Sequence, residues 1–248
     1  MNKRIAIALL LVVALAAMLG STGCRRVRLE DVQGPTGLET TTKAVALDGA
    51  EKLDARVRMA AGELTLAGGS TGALDAKFDA SPRSWMPEVE YSVEGTAGVL
   101  RISQPEITDW DFMGNTVNVW DMKLASGVPT ELDIELGAGQ STLDLTEVDV
   151  RNLHVLTGAG ETTIDLSGER ANDIDGSIEA GVGELTLKVP QDVGVRVTGT
   201  RDGVGDYNVE GFTSDGDAYV NDAWDTATVK IDLRLQRGIG EVTVEQVP

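Results

Sequence analysis

The stretch Leu136-Gly137-Ala138-Gly139-Gln140-Ser141-Thr142-Leu143 decides how the rest of the chain is read. Its Gly-x-Gly element returns at Gly158-Ala159-Gly160, Gly181-Val182-Gly183, Gly203-Val204-Gly205 and Gly238-Ile239-Gly240, at intervals of 21, 23, 22 and 35 residues. Each copy continues alike, as Glu161-Thr162-Thr163-Ile164, Glu184-Leu185-Thr186-Leu187, Asp206-Tyr207-Asn208-Val209 and Glu241-Val242-Thr243-Val244. A degenerate copy, Ala60-Ala61-Gly62, precedes Glu63-Leu64-Thr65-Leu66. The longest interval reads as one period plus an insertion within Gly211 to Trp224.

Paired glycines permit positive φ and close approach of a neighbouring backbone. Two, four and six residues past the second Gly the side chains are mostly apolar and are expected to face the core. The alternating positions are polar and are expected to face out. Leu132-Asp133-Ile134-Glu135-Leu136, Val193-Gly194-Val195-Arg196-Val197 and Val229-Lys230-Ile231-Asp232-Leu233-Arg234-Leu235 alternate in the same way, and no helical period is sustained after the first 24 residues. The chain therefore reads as all-β. The middle residue of each Gly-x-Gly is apolar, so Val182 and Val204 are expected to be buried at bends.

A unit of this length cannot bury its apolar face alone, whereas stacked units bury theirs continuously. The matched register between copies predicts a β-solenoid-like stack; a meander of hairpins would show turn signals roughly every 8 to 12 residues. Stacked coils would place Glu63, Gln140, Glu161, Glu184, Asp206 and Glu241 in one outward row, with Thr65, Thr142, Thr163, Thr186, Asn208 and Thr243 beside it. At a rung spacing of about 4.8 Å such carboxylates splay into water, accept bonds from backbone N–H groups, or share a divalent cation.

The 248 residues carry 40 acidic and 21 basic side chains, a net charge of −19, with 29 Gly, one Cys and one His. That charge argues against nucleic acid as a partner, since phosphate contacts need clustered Lys and Arg. One Cys cannot form an internal disulfide, and one Cys with one His cannot build a Cys/His zinc site. No cofactor is implied.

At the N-terminus, Lys3 and Arg4 precede an apolar run of 15 residues, Ile5 to Leu19. The run is short for a bilayer span and fits the apolar region of an export signal over residues 1–23. Ser21-Thr22-Gly23-Cys24 resembles a bacterial lipobox, with Ser21 where Leu is usual and Leu19 nearby. The resemblance implies a diacylglycerol on Cys24 and cleavage just before it; the alternative is a free Cys with cleavage near Ala14-Leu15-Ala16. Cleavage before Cys24 leaves 19 basic against 40 acidic side chains, a net charge of −21. Such an anchor tethers without spanning. Arg25, Arg26 and Arg28 would lie near headgroups or remain a solvated tether. Residues 24–46 read as a lipid-anchored linker, with Gly34-Pro35 and a Thr run between Glu30 and Thr42.

Residues Leu47 to Gln104, above all Met59-Ala60-Ala61-Gly62-Glu63-Leu64 and Trp85-Met86-Pro87-Glu88-Val89-Glu90-Tyr91-Ser92-Val93, resemble the N-terminal module of the bacterial toast-rack domains. From Pro129 onward, Leu136-Gly137-Ala138-Gly139, Glu179-Ala180-Gly181-Val182-Gly183 and Tyr219-Val220-Asn221-Asp222-Ala223 resemble their repetitive C-terminal module. The modules expected are 47–105 and 129–248. Residues 106–128, with Trp110, Phe112 and Trp120, fit neither and read as an insertion or crossover. The resemblance implies a β-solenoid-like envelope protein; related domains end some regulators of cell-envelope stress and some adhesin-like proteins.

Catalytic patterns are thin. Gly68-Gly69-Ser70-Thr71-Gly72 matches the nucleophile-elbow spacing, but no helix follows, as that motif requires. His154, between Leu153 and Val155, is expected at the surface with no second metal ligand of its kind. Forty acids guarantee carboxylate pairs without a visible cleft. The repeat length does not suit the nonapeptide calcium-binding rolls, and Asp215-Gly216-Asp217 to Asp222 lacks the EF-hand order and reads as a polar loop. Trp85, Trp110, Trp120 and Trp224 either cap solenoid ends or stack on sugars. The expected protein is a non-enzymatic, lipid-anchored envelope protein on the extracytoplasmic side, with a structural or adhesin-like binding role toward an envelope protein or glycan. A stress-sensing module acting through a partner is the alternative, and a polysaccharide-acting enzyme the third reading.

Overall fold

The computed structural model describes residues 37–106, 116–199 and 203–248, which belong to a single unit, Pro35–Pro248. Cys24, Trp110 and Phe112 lie outside the described residues. The strands, in chain order, are β1 (Glu39–Val45), β2 (Lys52–Ser70), β3 (Leu74–Ser81), β4 (Glu88–Glu94), β5 (Ala97–Ser103), β6 (Val117–Ala125), β7 (Thr130–Asp144), β8 (Val150–Asp165), β9 (Ile174–Pro190), β10 (Gly194–Thr198), β11 (Tyr207–Val209), β12 (Phe212–Asp215), β13 (Ala218–Asn221) and β14 (Lys230–Val247). A single 3-10 turn, Arg83–Trp85, lies between β3 and β4. The described residues are all-β.

Five long strands, β2, β7, β8, β9 and β14, lie parallel in that spatial order. Their register sets Gly62 beside Gly139, Gly139 beside Gly160, Gly160 beside Gly183 and Gly183 beside Gly240. Each strand is thus two limbs joined at a glycine corner. Gly160 shows why glycine is required there. Its φ is +135°, and a Cβ would stand 1.8 Å from the carbonyl oxygen of Gly139 on the next rung. Both the backbone conformation and the rung spacing exclude a side chain.

The corner also changes which parity faces inward. Before it Leu132 and Ile134 are buried; after it Ser141, Leu143 and Leu145 are; Gly137 to Gln140 between them are all exposed. The inward side chains of both limbs enter one apolar core. The expectation that Val182 and Val204 are buried is therefore corrected: they are 45% and 68% exposed, and Ile239 is 54% exposed. The middle residue sits on the convex side of the bend, where the chain turns its side chains away from the core. Val182→Asp is accordingly expected to change the unfolding free energy by no more than about 1 kcal/mol, measured by urea denaturation.

The order of rungs is also not the order of the sequence. β14 pairs with β9 along its whole length. On its other side β10 pairs with the first limb, and β11 with the second. The C-terminal strand is thus inserted between β9 and the segment that precedes it. β14 has 18 residues spanning both limbs, whereas β10 and β11 are short pieces of 5 and 3. The continuous strand satisfies the backbone groups of neighbours on both sides, and the interrupted one suits the end of the stack.

The opposite end is built the same way. β5 covers the first limb of β2, and β6 covers the second. Antiparallel strands then extend each side: β4 on β5, β3 on β6, and β1 on β3. Residues 39–45, read from the sequence as part of a linker, are thus strand β1. Likewise Val117–Ala125, within the segment read as an insertion or crossover, is an integral strand. Its Trp120 is fully buried and meets the Phe78 ring edge-on at 5.6 Å. Trp120 Nε1 donates to Asn118 Oδ1 at 2.7 Å, and Asn118 Nδ2 donates to Ala61 O at 2.6 Å, tying the Trp to the first corner.

Between rungs, buried Ser141 Oγ donates to Thr162 Oγ1 at 2.9 Å. At the return loops Arg170 donates to the carbonyls of Leu166, Val148 and Leu145 at 3.1, 2.8 and 2.8 Å, stapling successive coils. Burial lowers its pKa from the usual value, opposed by the nearby Asp149, Asp165 and Asp144.

Candidate functional site

Among the outward rows on the first limbs of the five long strands, two lie over one groove. One runs Asp54, Glu131, Asn152, Asp175; the other runs Arg56, Asp133, His154, Ser177, Arg234. Together they line an open, polar groove of about 530 Å³ that crosses the strands rather than following one. Its residues come from five rungs because parallel in-register pairing stacks equal offsets of each repeat. Within it Arg56 Nε lies 3.5 Å from Asp54 Oδ1. His154 Nδ1 is 2.7 Å from Ser177 Oγ. Asp133 Oδ1 is enclosed without a protein partner. Arginines stand on the first and last of these rungs, with carboxylates, an amide, an imidazole and a hydroxyl between. The groove offers both donors and acceptors, suited to a hydroxyl-rich or charged extended ligand.

One rung further, Arg196 is bonded to Asp232, Nε to Oδ1 at 3.1 Å. That carboxylate raises the pKa of Arg196. The ring of Trp224 lies beside two cations, 4.9 Å from the Arg196 guanidinium and 4.7 Å from the Lys230 ammonium. Trp120 and Trp85 are buried, whereas Trp224 is half-buried beside these two cations.

The residues singled out by sequence do not assemble a catalytic set. Ser70 is buried at the end of β2, donates to Asp75 Oδ2 at 2.7 Å and accepts from Gly72 N at 3.0 Å. His154, exposed as expected, bonds to Ser177 instead. Asp215-Gly216-Asp217 is part of the hairpin between β12 and β13, where Asp215 pairs Ala218. The acidic row on the second limbs forms, but in the order Glu63, Gln140, Glu161, Glu184, Glu241, with Asp206 outermost. In it Gln140 Nε2 donates to Glu161 Oε2 at 3.2 Å. Among the described residues no group of three or more His, Cys, Asp or Glu side chains is placed to hold a metal ion.

Sequence reasoning followed the positions after the paired glycines and missed the groove before them. Its second row lies four residues ahead of the first corner position in every copy: Arg56 before Ala60, Asp133 before Gly137, His154 before Gly158, Ser177 before Gly181, Arg234 before Gly238. That constant offset is the signal that would have found it.

Residues 34–188 match the family model described as the N-terminal domain of toast_rack. Among solved structures, a candidate cell adhesion protein from Clostridium sporogenes is 30% identical over 85% of this chain and 100% of its own, with a TM-score of 0.81. A candidate adhesin from Bacteroides fragilis is 11% identical over 85% of this chain and 98% of its own, TM-score 0.27. One from Parabacteroides merdae is 12% identical over 88% and 99%, TM-score 0.24. No curated protein matches the chain.

Proposed function

The chain belongs to the toast-rack family, and on that premise we propose that it is a non-enzymatic, adhesin-like envelope lipoprotein that binds glycan in the groove over β2, β7, β8, β9 and β14. The observation that carries this reading is the polar groove, built from one offset of the repeat across five rungs. The 30% identical Clostridium sporogenes protein, matched over its whole length, supports the adhesive role. A linear saccharide laid across the strands meets a fresh pair of polar side chains about every 4.8 Å, and its hydroxyls exchange hydrogen bonds with Asp133, Asn152, Ser177 and the two arginines. Anchoring is through Cys24 on the extracytoplasmic side, with Arg25, Arg26 and Arg28 beside the headgroups.

Two measurements test it. Cys24→Ala should move the protein from the membrane to the soluble fraction, or leave it uncleaved; a processed variant that stays with membranes removes the anchor. That protein should cosediment with purified cell-wall sacculi, and Arg56→Glu with Arg234→Glu should weaken the cosedimentation at least tenfold. Equal sedimentation of the two forms removes the groove as the glycan site.

A further inference from the structure

The convex corner carries a second surface. Val182 pairs with Ile239, and Ile239 with Val204, so three bulky apolar side chains stand exposed on consecutive rungs. Exposed Ala159 and Ala138 continue the row toward β2. On both sides the neighbours are glycines, Gly181, Gly238 and Gly203 on one and Gly183, Gly240 and Gly205 on the other. The ridge therefore rises between two troughs floored by bare backbone. Alanine satisfies the same backbone position at Ala138 and Ala159, so the larger side chains at one end are not demanded by the corner. A contiguous exposed apolar row rimmed by polar side chains is the kind of feature found at interaction surfaces.

We propose that this ridge docks an amphipathic helix of another protein, with an apolar stripe beside a row of Lys or Arg. Spacing selects the helix. Ridge side chains repeat about every 4.8 Å; a helix presents same-face neighbours about 5–6 Å apart, and a strand about 6.6 Å apart. Charge selects the basic flank, because exposed Glu184, Glu241 and Asp206 run along the ridge two residues past its crest. Among the described residues, the cation nearest this corner, Arg237, is turned onto backbone, donating to Gly205 O at 2.8 Å and Asp206 O at 3.1 Å. A second copy is disfavoured, since the chain carries a net charge of −19 and the acidic rows would approach one another. An anionic membrane surface is disfavoured for the same reason. The surface lies at the corner, apart from the groove, and stands independently of the glycan reading.

The test uses the mature chain with Cys24→Ala and an 18-residue helical probe peptide of Leu and Lys, followed by fluorescence anisotropy. The amphipathic peptide should bind at least tenfold tighter than its scrambled composition or a Leu/Glu counterpart. Val182→Thr with Ile239→Thr and Val204→Thr keeps the β-branched shape and should weaken binding at least tenfold. Glu184→Gln with Glu241→Gln and Asp206→Asn alters only exposed side chains; it should weaken binding about threefold or more and flatten its salt dependence. Sacculus binding should be unchanged in both variants. Equal affinity for scrambled and amphipathic peptides, or an unaffected Thr variant, overturns the proposal. So does binding to phosphatidylglycerol vesicles, or sedimentation as a dimer, if either is lost in the Thr variant; these would assign the ridge to a membrane or to a second copy.

Discussion

Gly160→Ala is expected to cost about 4 kcal/mol of stability, as is the same change at Gly139 or Gly240, where a Cβ meets the next rung at the same 1.8 Å. Two effects add. An alanine forced to φ of +135° adopts a conformation that L side chains avoid, worth about 1–3 kcal/mol. Its Cβ would also stand 1.8 Å from the carbonyl oxygen of Gly139, and that oxygen belongs to backbone rather than to a flexible side chain. The rungs must separate at the corner, and the ladder between β7 and β8 loses bonds there. Urea denaturation followed by far-ultraviolet circular dichroism measures the loss. A change below about 1 kcal/mol would mean that the corner tolerates a side chain and that the glycines are not what holds the register. The contrast with Val182→Asp is the sharper form of the test: a methyl one residue from the crest is costly, while a carboxylate on the crest is not.

Trp120→Ala is expected to cost about 3–5 kcal/mol. The side chain is fully buried and packs edge-on against Phe78, so truncation leaves a cavity where β3 and β6 meet the second limb of β2. The indole N–H also holds Asn118, whose amide caps the Ala61 carbonyl at the first corner. Asn118 Nδ2 lies 3.1 Å from Gln104 Oε1, which accepts from Ala60 N at 2.9 Å. Trp120→Phe weighs the contributions, keeping most of the apolar volume while removing the donor and one ring's worth of packing, for a loss of about 1–3 kcal/mol. Thermal unfolding of the two variants should rank Ala below Phe below wild type. Equal melting of Trp120→Ala and wild type would show that this end of the stack contributes no stability.

Much of the repeat was legible because its cause is local. A side-chain period of two along a strand places alternate residues on opposite faces, so Leu143, Ile164, Leu187 and Val244 could be assigned to the core and Glu161, Glu184 and Glu241 to the surface from the sequence alone. Glycine at fixed offsets marked where the chain bends, for the steric reason seen at Gly160. The groove was less legible. Its residues differ in type from rung to rung (Arg, Asp, His, Ser, Arg), so only their constant offset before the corner betrays them.

The alternation, the bends and the outward acidic side chains were thus determined by the amino-acid sequence, each through interactions within one repeat. Tertiary structure decided three things that no single repeat contains. It turned Val182, Ile239 and Val204 outward, because the side of a bend that faces solvent depends on where the two limbs find their common core. It made Val117–Ala125 a strand with a buried Trp, because the second limb of β2 needed a partner for its backbone. It placed β14 between β9 and β10, because a continuous strand of two limbs can satisfy hydrogen-bonding groups on both its edges, and two short strands cannot.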